Sequence, residues 1–592
     1  MVLILLCIFL IPLLSSFLII DLNPLNNEEN NQIIIREITT PRVAWYNNSE
    51  APIFIDSIGA QNWIWARTQP WCIKGDGSWS DPYVVENVTI DAGGPNDCIE
   101  IRNSQNVYFK IKNCTLFNGT IGSQAGIYLY NTSKGFLIEN SCSFNYYGIN
   151  LEGSYNNTIQ GNIAYNNTLY GIRLDRISAT SFYSYNNTLM NNICYFNTIG
   201  ITVLGGIETI ISGNKCYNNS NMGIWLQSNS FRSKILGNEC YNNKNSGIYI
   251  STNSINTTVQ RNNCSFNVEG IALSFTNLVA LNGNNCSLNY IGIKIEASKN
   301  NTIKGNIASN NINTGILLIE DSGVYSHNNI LLGNDCSYNG EMGISLIESD
   351  NTYISGNDCY HNKNGIYLLQ DSLDNKILRN NCSFNEEGIY VTLDSHNTQV
   401  IGNNCSYNTK NGMTATNGNY FTIINNIMSH NGETLPSYSG LYLQSSNNVT
   451  ISGNIFNNNI YAGMQIGGNN NNLTKNTCNY NFNGILVSGN NNNLSVNTCN
   501  NNTEIGITIN GAGNYVTFNI LIDNIECTVD TGNDTTIHNN TCANRDSSPG
   551  EPPTPPNGNG TPSISGFDIY ILIGAISIIF TILLKKRYRR IL

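Results

Sequence analysis

The chain has 592 residues, with 29 Lys and Arg against 40 Asp and Glu and a formal net charge of −11. Charged residues make up only 12% of it, so polarity comes from Asn, Ser, Thr and 32 Tyr instead. A chain so acidic and so poor in cations has no electrostatic footprint for nucleic acid, which excludes that class of partner.

Residues 1–20 are almost wholly apolar and read as a secretory signal peptide or an uncleaved N-terminal anchor, although they lack a basic leading segment. Residues 40–95 hold five of the six tryptophans: Trp45, Trp63, Trp65, Trp71 and Trp79. They predict a Trp-rich cap over the open end of the structure that follows.

From 96 to 545 one phrase recurs at intervals of about 22 to 24 residues, as NNCSFNVEGI at Asn262 and NNCSFNEEGI at Asn380. A period in this range means a stack of similar units. With the cysteine as origin, the position is held by Cys114, Cys142, Ala164, Cys194, Cys216 and onward to Leu521 and Cys542, every occupant small or apolar. Val400, Asn403 and Cys405 recur in type while Asn404 varies, a period-two alternation that predicts strands. The Gly-Ile after each phrase opens a second apolar pair, such as Ile389/Val391 or Ile248/Ile250.

Three short strands per coil, with Asn and Gly at the corners, predict an all-β fold, a right-handed parallel β-helix of about twenty coils. Asn tolerates left-handed backbone angles at corners, and stacked amides can form hydrogen-bonded ladders. At roughly 4.8 Å per rung the rod would be near 90 Å long. Leucine-rich spacing and a six-residue beat are both missing, which argues against the two rival solenoids. Ladder cysteines on stacked rungs have parallel Cβ vectors and are expected to be buried free thiols. Cys72, Cys98 and Cys527 lie off the ladder and are the disulfide candidates.

Residues 546–566 are Pro/Gly-rich and read as a tether. Residues 567–584 form an apolar run long enough for a transmembrane helix, and the basic tail 585–592 places that end in the cytoplasm. The expectation is a single-pass cell-membrane protein with its β-helix extracellular, where the sequons at Asn87, Asn118, Asn256 and Asn448 would suit a glycoprotein.

Repeats of the form GNxCSxNxxGIxL resemble the NosD-like right-handed parallel β-helix family, the periplasmic copper-binding NosD β-helix domain. The entry GDGSWSDPYVVENVTIDAGG from Gly75 looks like the start of such domains in archaeal surface proteins. The resemblance implies copper, but the histidines do not favour it. His361 and His430 share one register and His327 and His396 another. Each pair is three coils apart, about 14 Å, too far to share an ion.

No Gly-His-Gly, Asp-Asp or Asn-Thr-Asp signature of a polysaccharide-cleaving β-helix is present. Glu320, Glu348, Asp371 and Asp394 recur at one offset on four consecutive coils. Carboxylates about 5 Å apart suit either a solvated acidic corner or a calcium ion, so calcium is the one cofactor the sequence admits. The residue after Gly-Ile points outward, and there sit Trp225, Tyr249, Tyr367 and Tyr390, ring platforms that suit a pyranose face as well as plain rung-to-rung stacking. Two long coils, Ala164 to Cys194 and Ala308 to Cys336, insert Tyr183 and Tyr325 after the Gly-Ile strand. These residues together predict a glycan-binding face on that side. Three functions stay in play: surface binding or adhesion, most of all to carbohydrate on surface glycans; a passive envelope element; and a polysaccharide lyase or hydrolase.

Overall fold

The computed structural model describes residues 46–48, 52–177, 182–433 and 437–545. Apart from one short helix, Trp63–Ala66, its regular structure is all strand. The reason lies in each coil's spacing. Gln399–Ile401 runs along one wall, Asn404-Cys405 turns along a second, and Met413–Thr416 along a third. Each wall pairs in parallel with its counterpart one coil on, residue for residue, as in Gln399↔Thr422 and Met413↔Leu441. The wall carrying Gly-Ile is a ladder of 20 strands, from Ile53–Asp56 to Glu526–Asp530. A second, connecting ladder runs from Tyr83–Glu86 to Thr536–His538. The third, the cysteine wall, is strand from Tyr46–Asn48 to Asn263–Ser265 and then continues as single bridges from Asn263↔Asn285 to Thr498↔Ile520.

Between these walls runs one continuous core, in which Val400, Cys405, Met413 and Ala415 are fully buried. Its polar inward positions are asparagines. Asn403 donates through Nδ2 to the carbonyl of Ile377 (2.8 Å) and to Oδ1 of Asn426 (3.0 Å). Its own Oδ1 accepts from the N–H of Asn380 at 2.8 Å. A second buried column behaves alike beyond the cysteine, Asn385 N–H donating to Asn408 and Asn408 N–H to Asn431. A buried corner needs donors and acceptors in this arrangement, so the asparagines are the fold's polar spine rather than its surface.

The glycine of Gly-Ile has a different reason. A Cβ on Gly388 would lie 2.3 Å from the carbonyl oxygen of Gly412 and 2.9 Å from both Asn408 Nδ2 and Cys405 Cβ. The two walls meet too closely there for any side chain.

Two expectations about the ladder cysteines need correction, one of register and one of burial. Cys114 is not on the cysteine ladder; Leu116 pairs with Cys142, while the N–H of Cys114 donates to Oδ1 of Asn140 and the thiol fills the slot asparagine takes elsewhere. Cys542, paired with Leu521 in the last described coil, is exposed because no further coil covers it, and it forms a disulfide with Cys527. Cys72 and Cys98 are buried free thiols. So are the remaining described cysteines, and burial pushes Cys114 up to about 12 and Cys382 well above its ordinary value.

At the N-terminal end the helix starts where Asn62 Oδ1 accepts the N–H groups of Ile64 and Trp65. It presses Trp63 onto Tyr83, with ring centroids 4.9 Å apart, while Trp63 Nε1 donates to Ser104 Oγ at 2.8 Å. Trp79 is exposed. The segments 1–20, 546–566, 567–584 and 585–592 lie outside the described residues, among which no helix is long and apolar enough to cross a membrane.

Candidate functional site

The outward residues after Gly-Ile form one column, as their pairing requires. Trp225 sits beside Tyr249 with centroids 6.1 Å apart, and its Nε1 donates to Ser251 Oγ. Tyr367 and Tyr390 are 5.3 Å apart and tilted by 30°. Between the two pairs the column passes through Ala272, Lys294, Leu317 and Ser345, so they are separate patches. All four rings are only partly exposed. Tyr183 packs its ring against Gly205, and Tyr325 is exposed six coils further on, each just before a buried corner serine.

Of the four expected acidic positions, three stack. Glu348, Asp371 and Asp394 each precede one of Ser349, Ser372 and Ser395, which bond successively through N–H to Oγ at 3.3 Å. Glu320 is out of register. The inserted residues fold back in their own hairpin, Asp321 bridging Val324, and the Glu320 carboxylate accepts the N–H of Gly323. Ser298 N–H bonds Ser326 Oγ, so Tyr325 takes the place expected for Glu320. The described residues contain no group of three or more His, Cys, Asp or Glu that could hold a metal ion.

A richer surface lies at the opposite edge of the Gly-Ile wall, on the corner two residues after each ladder position. Tyr338, His361, Phe384, Tyr407 and His430 occupy it on five consecutive coils. Their ring centroids are 4.7, 5.6, 5.2 and 4.7 Å apart in turn, with adjacent planes within 24°. Tyr338, Phe384 and Tyr407 are 50–52% exposed, against the partly covered rings of the Gly-Ile column. All five have left-handed backbone, φ between 54° and 59°. Left-handed angles cost a bulky residue about 1 kcal/mol or more, and other coils avoid that cost with asparagine, as at Asn218, Asn242 and Asn458. On these five coils rings stand in that position and stack on one another instead.

Two cavities open on this same corner, where the column changes from ring to asparagine. One, of about 600 Å³, lies against Phe196, with Asn218, Asn242, Ser220 and Lys244 around it. The other, of about 360 Å³, lies against Phe384, Tyr407 and His430, with Glu433, Asn458 and Ile460 opposite. Glu433 comes from a third long coil, Met428 to Phe456, whose insertion precedes its Gly-Leu strand rather than following it. The sequence carried this signal in the variable letter of CSFN, CSYN and CYHN.

The comparisons with known proteins speak to the family. The profile described as right handed beta helix region matches residues 72–238, 177–276 and 388–542, more than half of the chain. The chain belongs to the right-handed β-helix family. Within it the central coils are NosD-like: the profile of the periplasmic copper-binding protein (NosD) matches residues 228–325, 252–393 and 322–437. No curated protein sequence matches. Among solved structures, a variant of the periplasmic alginate epimerase AlgG aligns at 17% identity over 59% of this chain and 82% of its own, with a TM-score of 0.40. The PL6 family alginate lyase AlyGC aligns at 10% identity over 84% and 96%, with a TM-score of 0.30. The A-module of the mannuronan C-5 epimerase AlgE6 of Azotobacter vinelandii aligns at 11% identity over 76% and 91%, with a TM-score of 0.21. With TM-scores below 0.5 these likenesses carry no argument.

One charged cluster on this β-helix went unread in the sequence, because its members come from separate coils. Arg173 donates to Asn150 Oδ1 (3.1 Å), pairs with Asp175 and lies 5.1 Å over the Tyr147 ring. Beside it Tyr128 Oη donates to Glu152 at 2.8 Å. Arg173 Nε is buried without a hydrogen-bond partner, and neither cavity described above opens over the cluster. Burial pushes two further acids up, Asp97 and Glu387, each to about 7. Thr414 Oγ1 donates to Glu387 at 3.0 Å.

Proposed function

We propose that this β-helix is a cell-surface binding or adhesion protein whose ligand is carbohydrate. The observation that carries the reading is the coincidence of both cavities with one corner, where exposed rings stand beside amides and hydroxyls. A pyranose offers an apolar C–H face to a ring and hydroxyls to amide partners, and this corner carries both rings and amides. The apolar segment 567–584 and the basic tail 585–592 supply the membrane anchor in this reading, with the coils on the outer side. Trp225, Tyr249, Tyr367 and Tyr390 would add secondary patches on the adjoining wall.

The purified full-length protein, in a detergent without a sugar headgroup, should retain saccharides on a glycan array, with and without calcium. Tyr407→Ala should reduce that retention more than Tyr249→Ala. Protease applied to intact cells should release most of the chain's mass. If nothing on the array is retained, the corner serves packing alone and the protein is a passive envelope element.

A further inference from the structure

The smaller cavity is the place where the ring stack stops. His430 covers Tyr407 on one side, at 4.7 Å, and on its other side the column continues with Asn458 in place of a ring. Asn458 has the same left-handed corner backbone as its neighbours, φ 56°, and one coil further the column returns to an exposed ring, Tyr480, φ 59°. The cavity is therefore a missing member of the stack. Its mouth carries one carboxylate, Glu433, and the amide of Asn458, and among the described residues no Lys or Arg lines it. The nearby Lys363 and Lys410 are each committed to a carboxylate, Glu341 at 3.0 Å and Glu386 at 2.8 Å.

We infer that this cavity is a subsite for a single pyranose ring of a neutral or amino-bearing saccharide, seated on His430 as the next member of the stack, with Glu433 and Asn458 taking its polar substituents. The inference rests on the carbohydrate reading and narrows its ligand class. An ammonium or hydroxyl group meets a carboxylate and an amide here, whereas a uronate would bring a second negative charge beside Glu433 with no cation to offset it.

The test is calorimetric titration of the full-length protein with tetrasaccharides of glucosamine, N-acetylglucosamine and galacturonate. The first two should bind, with galacturonate at least about tenfold weaker. Asn458→Tyr extends the stack with a residue this column already carries, fills the cavity, and should weaken binding by about tenfold or more. His430→Ala removes the ring face without filling the space and should give a similar loss. Glu433→Gln should lower affinity for glucosamine and leave N-acetylglucosamine nearly unchanged. Saccharide binding that is indifferent to both Asn458→Tyr and His430→Ala would overturn the subsite while leaving the carbohydrate reading intact, as would tightest binding of galacturonate. Failure of every saccharide to bind would overturn both.

Discussion

Asn403 shows what one residue contributes to this fold. Its amide closes bonds to the coil before and the coil after at a buried corner, so removing it leaves the carbonyl of Ile377 and the N–H of Asn380 without partners. Each buried orphan costs about 1–3 kcal/mol. Asn403→Ala should therefore destabilise the protein by about 3 kcal/mol in urea unfolding, while Asn404→Ala, on the exposed side of the same turn, should change it little. Asn403→Asp should be worse still near neutral pH, since it keeps the acceptor, loses both donors and buries a charge. Equal effects at 403 and 404 would mean that the amide column is incidental to stability.

At the scale of the coil, the controlling element is the close approach of the cysteine and Gly-Ile walls. The period-two pattern told inward from outward along each strand, and Val400, Cys405, Ile389 and Val391 are all buried as that pattern demands. It could not explain the recurring glycine, because the atom that forbids a side chain at 388 belongs to Gly412, one coil away. Gly388→Ala should cost several kcal/mol, since a methyl 2.3 Å from a carbonyl oxygen must displace backbone. Gly402→Ala meets only the flexible Arg379 side chain, at 3.5 Å, and should cost about 1–2 kcal/mol for its left-handed backbone. Thermal unfolding of the two variants separates these cases. A larger loss at 402 would show that the walls can part without penalty.

Over the whole molecule each coil rests on its neighbours alone, so stability is local and the ends are its weak points. Near the N-terminal end the helix at Trp63–Ala66 buries Trp63 and Ala66. At the other end the last described coil is tied back by Cys527–Cys542, a link spanning 15 residues, of a length worth about 3 kcal/mol in chain-entropy terms. Reduction should speed amide exchange between 515 and 545 and leave the coils around Cys382 as protected as before. The buried thiols should stay unreactive in the native protein throughout. Loss of protection along the entire ladder on reduction would show one cooperative unit instead of a stack.

The amino-acid sequence alone determined the architecture. A repeat copied down the chain states its inward positions many times over, so single departures such as Ala164 or Phe456 do not obscure it. Burial then follows from alternation, because a strand has only two faces. The tertiary structure decided the rest, since those properties belong to pairs of coils. Whether an outward ring is open depends on the residue a coil away: Trp225 is partly covered beside Tyr249, whereas His430 faces a gap because its neighbour is Asn458. Glu320 lost its place in the acidic column because an insertion folded back on itself. Cys542 became reachable for Cys527 because no coil follows it in the described ladder. Spacing along the chain fixes which side of a wall a residue faces, and stacking fixes what it meets there.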